Sequence, residues 1–172
     1  MSFSQDVKNE ILHRKIVRSC CVTAAAYAVA CFGKYFDDRG VVLQTENEGI
    51  AQLAQKLYAR CSITGTVISK ERGTGLIYEF SVKDPEQVQK MLNLFGHTGR
   101  ETTLRIRPDC FKCQKCGSFF ISTAFLCCGT ATDPEKEYNI EFLSPRHSLS
   151  QQLEGILAQY EFLSLIHISE PT

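Results

Sequence analysis

The feature of this sequence that most limits its fold is a helix-to-strand unit that occurs twice. Aligning the chain with itself matches four pairs of residues: Cys20 with Cys116, Cys31 with Cys127, Gly33 with Gly129, and Asp37 with Asp133. In each copy a long apolar helix leads to a glycine, then to an acidic turn and a strand. We interpret the match as a duplicated supersecondary unit, the alternative being two unrelated buried helices that end alike.

The helices of the two copies differ in bulk in a way that suits close packing. The first is predicted over residues 18–36 and is rich in alanine. The second is predicted to end near Cys128 and carries Phe119, Phe120 and Phe125. Because small side chains let a bulkier neighbour approach closely, we expect the two helices to pack side by side.

The remaining pattern mixes helices with strands. Strands are predicted over residues 41–47, 62–69, 75–82, 102–107 and 138–143, with a hairpin turn at 70–74. Further helices are predicted over residues 2–13, 47–60, 84–95 and 148–160. Because neighbouring strands are joined by hairpins and helices are interspersed, the pattern predicts an α+β fold with mainly antiparallel sheets.

Composition excludes several classes of protein. The 19 basic and 19 acidic residues balance, so DNA binding would need a local basic patch. The polar start MSFSQDVKNEIL is unlike a signal peptide, and no apolar run approaches the ~20 residues of a membrane helix. We therefore expect a cytoplasmic protein without membrane contact, whose nine cysteines are reduced thiols.

Four segments carry a family resemblance. They are MSFSQDVKNEIL at the start, SCC before the alanine-rich helix, TEN after the first strand, and AFLCCGTATDPEKEYNIEF in the second copy. Over residues 1–162 the chain resembles WhiA, a bacterial transcription regulator of sporulation and cell division. The resemblance implies a fold similar to LAGLIDADG homing endonucleases, whose two related halves join through paired helices. In the family a C-terminal helix-turn-helix domain follows.

The resemblance also implies a division of the chain. Residues 1–108 are expected to form the first half, and residues 109–162 the start of the second half. The helix-turn-helix domain has no counterpart in this sequence, so we expect a fragment of such a regulator. The segment LSLIHISEPT at 163–172 resembles a translated sequencing adapter and is predicted to be a non-native tail.

Two acidic residues raise an enzymatic alternative. Homing endonucleases hold divalent metal with a carboxylate at the end of each paired helix, and Asp37 and Asp133 occupy comparable places. However, Asp37 lies in a predicted turn, and Asp133 precedes Pro134, a common turn initiator. The resemblance to WhiA implies a scaffold without nuclease activity. We therefore predict no catalytic residues, with a metal-dependent endonuclease as the alternative.

A run of cysteines has the spacing of metal ligands. Cys110, Cys113 and Cys116 follow one another at equal intervals. Zinc needs a fourth ligand, for which Cys127 and Cys128 are candidates, although both lie on a helix that should be buried. The other candidates, which no spacing supports, are His97 and His147. The simpler explanation is that these thiols pack as small apolar groups. We predict no metal and no cofactor, and a structural zinc-binding module is the second alternative.

Four basic residues are the candidates for DNA contact. Alternation along a strand puts Arg105 and Arg107 on one face, while Lys70 and Arg72 lie at a hairpin tip. Such side chains can contact phosphates, although a solvated face balanced by nearby acidic residues is the simpler explanation. The expected partner is DNA, read mainly through the helix-turn-helix domain, with a protein as a further partner.

Overall fold

The computed structural model describes residues 3–131, 140–143, 147–158 and 166–169. In chain order the elements are α1 (Phe3–Leu12), α2 (Ser19–Phe32), β1 (Tyr35–Asp37), β2 (Gly40–Thr45), α3 (Glu48–Arg60), β3 (Thr66–Arg72), β4 (Gly75–Val82), α4 (Pro85–Phe95), a 3-10 helix (Pro108–Cys110), α5 (Gln114–Cys128), β5 (Gly129–Ala131), β6 (Ile140–Leu143), α6 (His147–Ala158) and β7 (Ile166–Ser169). Within these ranges, every helix is too short or too polar to cross a membrane.

The first sheet holds four antiparallel strands in the order β1-β2-β4-β3. Its register pairs Leu43 with Phe80 and Gln44 with Glu79, so successive residues of β2 and β4 point to opposite faces. Leu43 and Phe80 are buried on the face that packs against α2 and α3, where Phe80 meets the ring of Tyr58. The opposite face is here called the polar face, and its residues include Tyr35, Gln44, Ile68, Lys70, Arg72 and Glu79.

The second copy of the repeat begins with the same sequence of elements as the first. α5 leads into β5, which pairs antiparallel with β6, and α6 follows, just as α2, β1, β2 and α3 follow one another. The copies then diverge, because β7 pairs parallel with β6 whereas β4 pairs antiparallel with β2. The predicted α+β architecture with duplicated helix-strand units and mainly antiparallel sheets is confirmed.

The two repeated helices, α2 and α5, form the most extensive helix-to-helix contact among the described residues. The five alanines of α2 are all fully buried, and their small side chains leave room for α5. Phe120 of α5 fills that room, and its ring lies 5.9 Å from the ring of Tyr27 and 5.8 Å from that of Phe32. The expected side-by-side packing of a small helix against a bulky one is confirmed.

The first of these helices ends earlier than the sequence pattern indicates. α2 stops at Phe32, four residues before the predicted end at Phe36. The backbone becomes extended at Gly33, and the Lys34 N–H donates to the Val42 carbonyl at 2.7 Å. A Cβ at Gly33 would lie only 2.7 Å from that carbonyl oxygen, so glycine lets the chain turn directly into β1.

The hairpin between β3 and β4 is also tighter than predicted. β3 continues through Arg72 and β4 starts at Gly75, which leaves a two-residue turn with a positive φ at Gly73. Lys70 is therefore a strand residue paired with Ile77, and the prediction that it lies at the hairpin tip is wrong. The polar sequence of this segment resembles a loop, but cross-strand hydrogen bonds extend the ladder through it.

We predict that Phe120→Ala lowers the free energy of unfolding by about 3–5 kcal/mol, because a cavity replaces a ring at the centre of the helix pair. Urea denaturation followed by circular dichroism measures the change. The matched control is Phe119→Ala, since Phe119 is only partly buried and its ring faces the guanidinium of Arg14 at 4.8 Å. Equal losses in the two variants would contradict the central role of Phe120.

Candidate nucleic-acid interface

Two of the four predicted DNA-contacting residues lie together on the polar face. Lys70 and Arg72 are both on β3, which is the edge strand of the first sheet. The Lys70 Nζ lies 3.1 Å from the Glu79 carboxylate, so its charge is already shared within the protein. Arg72 is exposed and forms no salt bridge within the described part of the chain. Arg72 is therefore the freer cation for a phosphate.

Glu79 organises the centre of the polar face. Its side chain is almost fully buried and accepts hydrogen bonds from Gln44 at 2.8 Å and from Lys70. The hydrogen bond from Gln44 lowers the pKa of Glu79, burial opposes this, and the charges of Lys70 and Lys83 lower it further. Glu79 is thus an anion that holds two lysines on one face of the sheet.

Lys83 is a basic residue of this surface that the sequence analysis missed. Its Nζ lies 3.9 Å from the second oxygen of Glu79, and its side chain is more than half exposed. It follows directly after β4, four residues from Glu79, so strand alternation places the two on one face. The two-residue period of the strand was the signal in the sequence that could have identified Lys83. It adds Lys83 to the basic residues near the polar face.

Asp37, the candidate for metal-dependent catalysis, is not at the end of a helix. It is the last residue of β1, and its carboxylate is bound by Arg39 through the backbone N–H at 2.8 Å and the guanidinium at 2.7 Å. The guanidinium also stacks over the ring of Tyr35. The suggested partner Asp133 lies outside the described residues. The paired helices α2 and α5 themselves contain no Asp or Glu.

Arg105 and Arg107 lie on a segment that is not part of a sheet. Residues 102–107 form no strand, so the predicted strand at this position is wrong. The alternation on which it rested is nevertheless present, because Leu104 and Ile106 are buried while both arginines are exposed. The chain is extended here without ladder partners, because the Tyr27 hydroxyl and the Gln152 side chain of α6 take up its backbone hydrogen bonds.

The Tyr27 hydroxyl fixes this segment in place. It accepts a hydrogen bond from the Arg107 N–H at 2.8 Å and lies 3.2 Å from the Arg105 carbonyl, to which it can donate. The same hydroxyl lies 2.6 Å from Nε2 of His97. Burial raises the pKa of Tyr27 well above its ordinary value, so the hydroxyl keeps its proton. One side chain of α2 therefore positions the backbone of both arginines.

The four predicted residues thus fall into two separate pairs. Lys70 and Arg72 belong to the polar face, while Arg105 and Arg107 belong to the segment anchored on α2. Arg107 also forms a salt bridge with a near neighbour in sequence, since its guanidinium lies 3.1 Å from the Asp109 carboxylate. The structure does not assemble the four residues on one sheet.

The cysteines predicted as alternative zinc ligands are also divided. Cys110 is buried with its sulfur against the Phe95 carbonyl, and burial raises the pKa of its thiol to about 11. Cys128 hydrogen bonds within α5, to the Ala124 carbonyl at 3.3 Å. Cys113 and Cys116 instead lie beside two cysteines of α2. The sequence spacing grouped Cys113 with Cys116, which do lie together, but it wrongly added Cys110 to them.

Comparison with known protein families identifies the family of this chain. The model of the WhiA LAGLIDADG-like domain matches residues 42–105 and 117–169. The chain belongs to this family. The match falls in two separate segments, which is consistent with a domain built from duplicated units.

The relatives and solved structures agree with this assignment. "Probable cell division protein WhiA" of Caldicellulosiruptor saccharolyticus is 27% identical over 94% of this chain and 54% of its own length. The protein of the same name from Lachnoclostridium phytofermentans is 29% identical over 93% and 55%. The chain therefore spans about half the length of the curated relatives that it matches.

Two crystal structures have the same fold. Full-length DUF199/WhiA from Thermatoga maritima superposes with a TM-score of 0.69 at 15% identity, covering 94% of this chain and 51% of that one. The N-terminal LAGLIDADG domain of DUF199/WhiA superposes with a TM-score of 0.68 at 14% identity, covering 93% of this chain and 75% of that domain. The expected LAGLIDADG-like architecture is confirmed.

We predict that the stability of the chain falls as the pH drops from about 7.5 to about 5.5, in part through His97. Burial lowers the pKa of His97 below 6.5, with Glu101 opposing and Arg107 reinforcing the shift. Because the unfolded chain then takes up the proton first, the stabilisation is complete above about pH 6.5 and is lost as the pH falls towards the folded-state pKa.

The measurement is urea denaturation of the unmodified chain and of His97→Gln at both pH values. The variant cannot titrate at this position, so its loss of stability over the interval should be smaller. The Glu101 carboxylate, whose pKa is lowered, titrates in more acidic solution and does not interfere. Parallel pH dependence in the two proteins would show that His97 is not responsible.

Proposed function

We propose that this chain is the LAGLIDADG-like part of a bacterial transcription regulator that binds DNA and acts in cell division and sporulation. In this role it is a non-catalytic scaffold in the cytoplasm, and DNA is read mainly by a helix-turn-helix domain of the whole regulator. Membership of the WhiA family and the name of the relatives as cell division proteins support the proposal. The division into residues 1–108, 109–162 and a non-native tail at 163–172 stays a prediction.

The observation that carries the non-catalytic role is the chemistry of the paired helices. A nuclease of this architecture needs carboxylates at the ends of those helices to hold divalent metal between the two strands of DNA. α2 ends in Ala-Cys-Phe and α5 in Leu-Cys-Cys, which offer no oxygen ligand. Asp37 follows α2 on β1, but its carboxylate is neutralised by Arg39.

The polar face is the part of this chain that we assign to DNA. Lys70 and Arg72 lie two residues apart on β3, so their side chains point the same way at a spacing of about 7 Å. That spacing is close to the separation of successive phosphates, and Lys83 adds a further charge near Glu79. Contacts of this kind position a protein on DNA without reading its sequence. Arg105 and Arg107 form a second, independent candidate contact.

We predict that Arg72→Gln weakens the binding of the chain to duplex DNA and lowers the slope of log affinity against log salt by about 1. The loss should be similar for unrelated DNA sequences, because the contact is to phosphate. Fluorescence anisotropy with two labelled duplexes at several salt concentrations provides the measurement. Arg72 is preferred to Lys70 as the test, since removing Lys70 would also take a hydrogen-bond partner from the buried Glu79.

The matched control is Lys56→Gln, which removes one exposed charge from α3, the helix that packs on the opposite side of the sheet. It should leave both affinity and salt slope unchanged. Arg105→Gln tests the second pair separately. If Lys56→Gln and Arg72→Gln weakened binding equally, only net charge would matter and the polar face would not be the contact surface.

We predict that the chain does not cleave DNA with Mg²⁺ or Mn²⁺. Supercoiled plasmid is incubated with excess protein, and nicked and linear products are separated on agarose gels. Any nicking that persists through purification should be equal in Asp37→Asn, because a contaminant does not depend on this residue. Metal-dependent cleavage that is lost in Asp37→Asn would overturn the non-catalytic role and favour an endonuclease.

A further inference from the structure

Four cysteine sulfurs lie together where the two central helices begin. Cys20 and Cys21 are in the first turn of α2, Cys113 precedes the first residue of α5, and Cys116 is in the first turn of α5. Their four Sγ atoms all lie within 4.8 Å of one another. Cys20 and Cys116 are also equivalent positions of the sequence repeat, so the cluster joins its two copies.

The distances between the sulfurs match a tetrahedral metal site. The Sγ of Cys21 lies 3.5 Å from that of Cys113 and 3.9 Å from that of Cys116, and the last two are 3.5 Å apart. Zinc bound to thiolates at about 2.3 Å places the sulfurs about 3.8 Å from each other. In an iron–sulfur cluster the four ligands are divided among two or four iron atoms, and ligands of different irons lie farther apart. The spacing therefore fits a single ion.

The surroundings of the cluster favour thiolates. The cluster lies at the N-terminal ends of α2 and α5, and the positive end of a helix dipole stabilises a thiolate. Exposed Arg18, Lys112 and Lys115 flank the four cysteines and can offset the charge of a tetrathiolate site.

We propose that Cys20, Cys21, Cys113 and Cys116 bind one zinc ion that ties the start of α2 to the start of α5. Four protein ligands leave no open position for substrate, so the site is structural. Zinc is favoured over iron because thiolate sites bind Zn²⁺ more tightly than Fe²⁺. None of the four cysteines lies in the two segments that match the family model, and the site is independent of the proposed binding of DNA.

A zinc ion at this site would strengthen the contact between α2 and α5, which side-chain packing already forms. Residues 20 and 113 are far apart in sequence, so a shared ion closes a long loop and disfavours the unfolded chain. Without zinc the same four thiols pack as small apolar groups, as the buried Cys31 does elsewhere in α2. Metal content distinguishes these two arrangements directly.

The test is the zinc content of the full 172-residue chain, purified under reducing conditions without chelator and measured by inductively coupled plasma mass spectrometry. We expect about one zinc per chain. Cys21→Ser and Cys116→Ser should each lower zinc affinity by at least about tenfold. The matched control is Cys110→Ser, which removes a buried cysteine of the same sequence run outside the cluster and should keep the metal.

Two further measurements keep the proposal testable if a variant fails to fold. Co²⁺ added to the unmodified chain after removal of zinc should give the strong visible absorption of tetrahedral thiolate coordination. A chelator strong enough to remove zinc should lower the melting temperature of the unmodified chain and leave that of Cys21→Ser unchanged. Weak octahedral absorption of Co²⁺, an iron–sulfur spectrum, or zinc lost in Cys110→Ser but retained in Cys21→Ser would each overturn the assignment.

Discussion

The structure depends on the contact between α2 and α5, and that contact sets the chemistry of both helices. A helix buried on nearly every side cannot carry charge, because an unpaired ion in the interior costs several kcal/mol. α2 accordingly has no charged residue, and α5 has only Lys115, in its exposed first turn. Everything else is arranged around this pair: each helix leads into its own sheet, and the Tyr58 hydroxyl of α3 donates to the Ala26 carbonyl of α2.

Much of the fold could be predicted because it rests on local patterns. The repeat, the helix pair and the antiparallel hairpins follow from apolar periodicity and from turn residues, and all are present. The errors lie where a tertiary contact overrides the local pattern. α2 ends at Phe32 because the backbone that follows pairs with β2 as a strand, although Tyr35 and Phe36 could continue an apolar helix. Residues 102–107 alternate like a strand, but Tyr27 and Gln152 supply the hydrogen bonds that a neighbouring strand would.

The candidate sites were less predictable for a different reason. Strand alternation placed Arg105 and Arg107 on one face, and the predicted hairpin placed Lys70 near Arg72. The sequence alone could not tell whether the two pairs share a surface. The cysteine run illustrates the same limit. Spacing within one segment found Cys113 and Cys116, but their companions are about ninety positions away and come close only because the two helices start at the same end of the molecule. Long-range proximity is a property of topology.

The charged ending of β3 has a consequence for the behaviour of the protein in solution. β3 is the outer strand of its sheet, so one row of its backbone N–H and C=O groups faces outward. Such a row is a template on which a second molecule can add a strand and begin to aggregate. Lys70, Glu71 and Arg72 place alternating charges along it, and a like strand approaching in register would have to desolvate them. The residues proposed to hold DNA thus also disfavour the addition of a strand at this edge of the sheet.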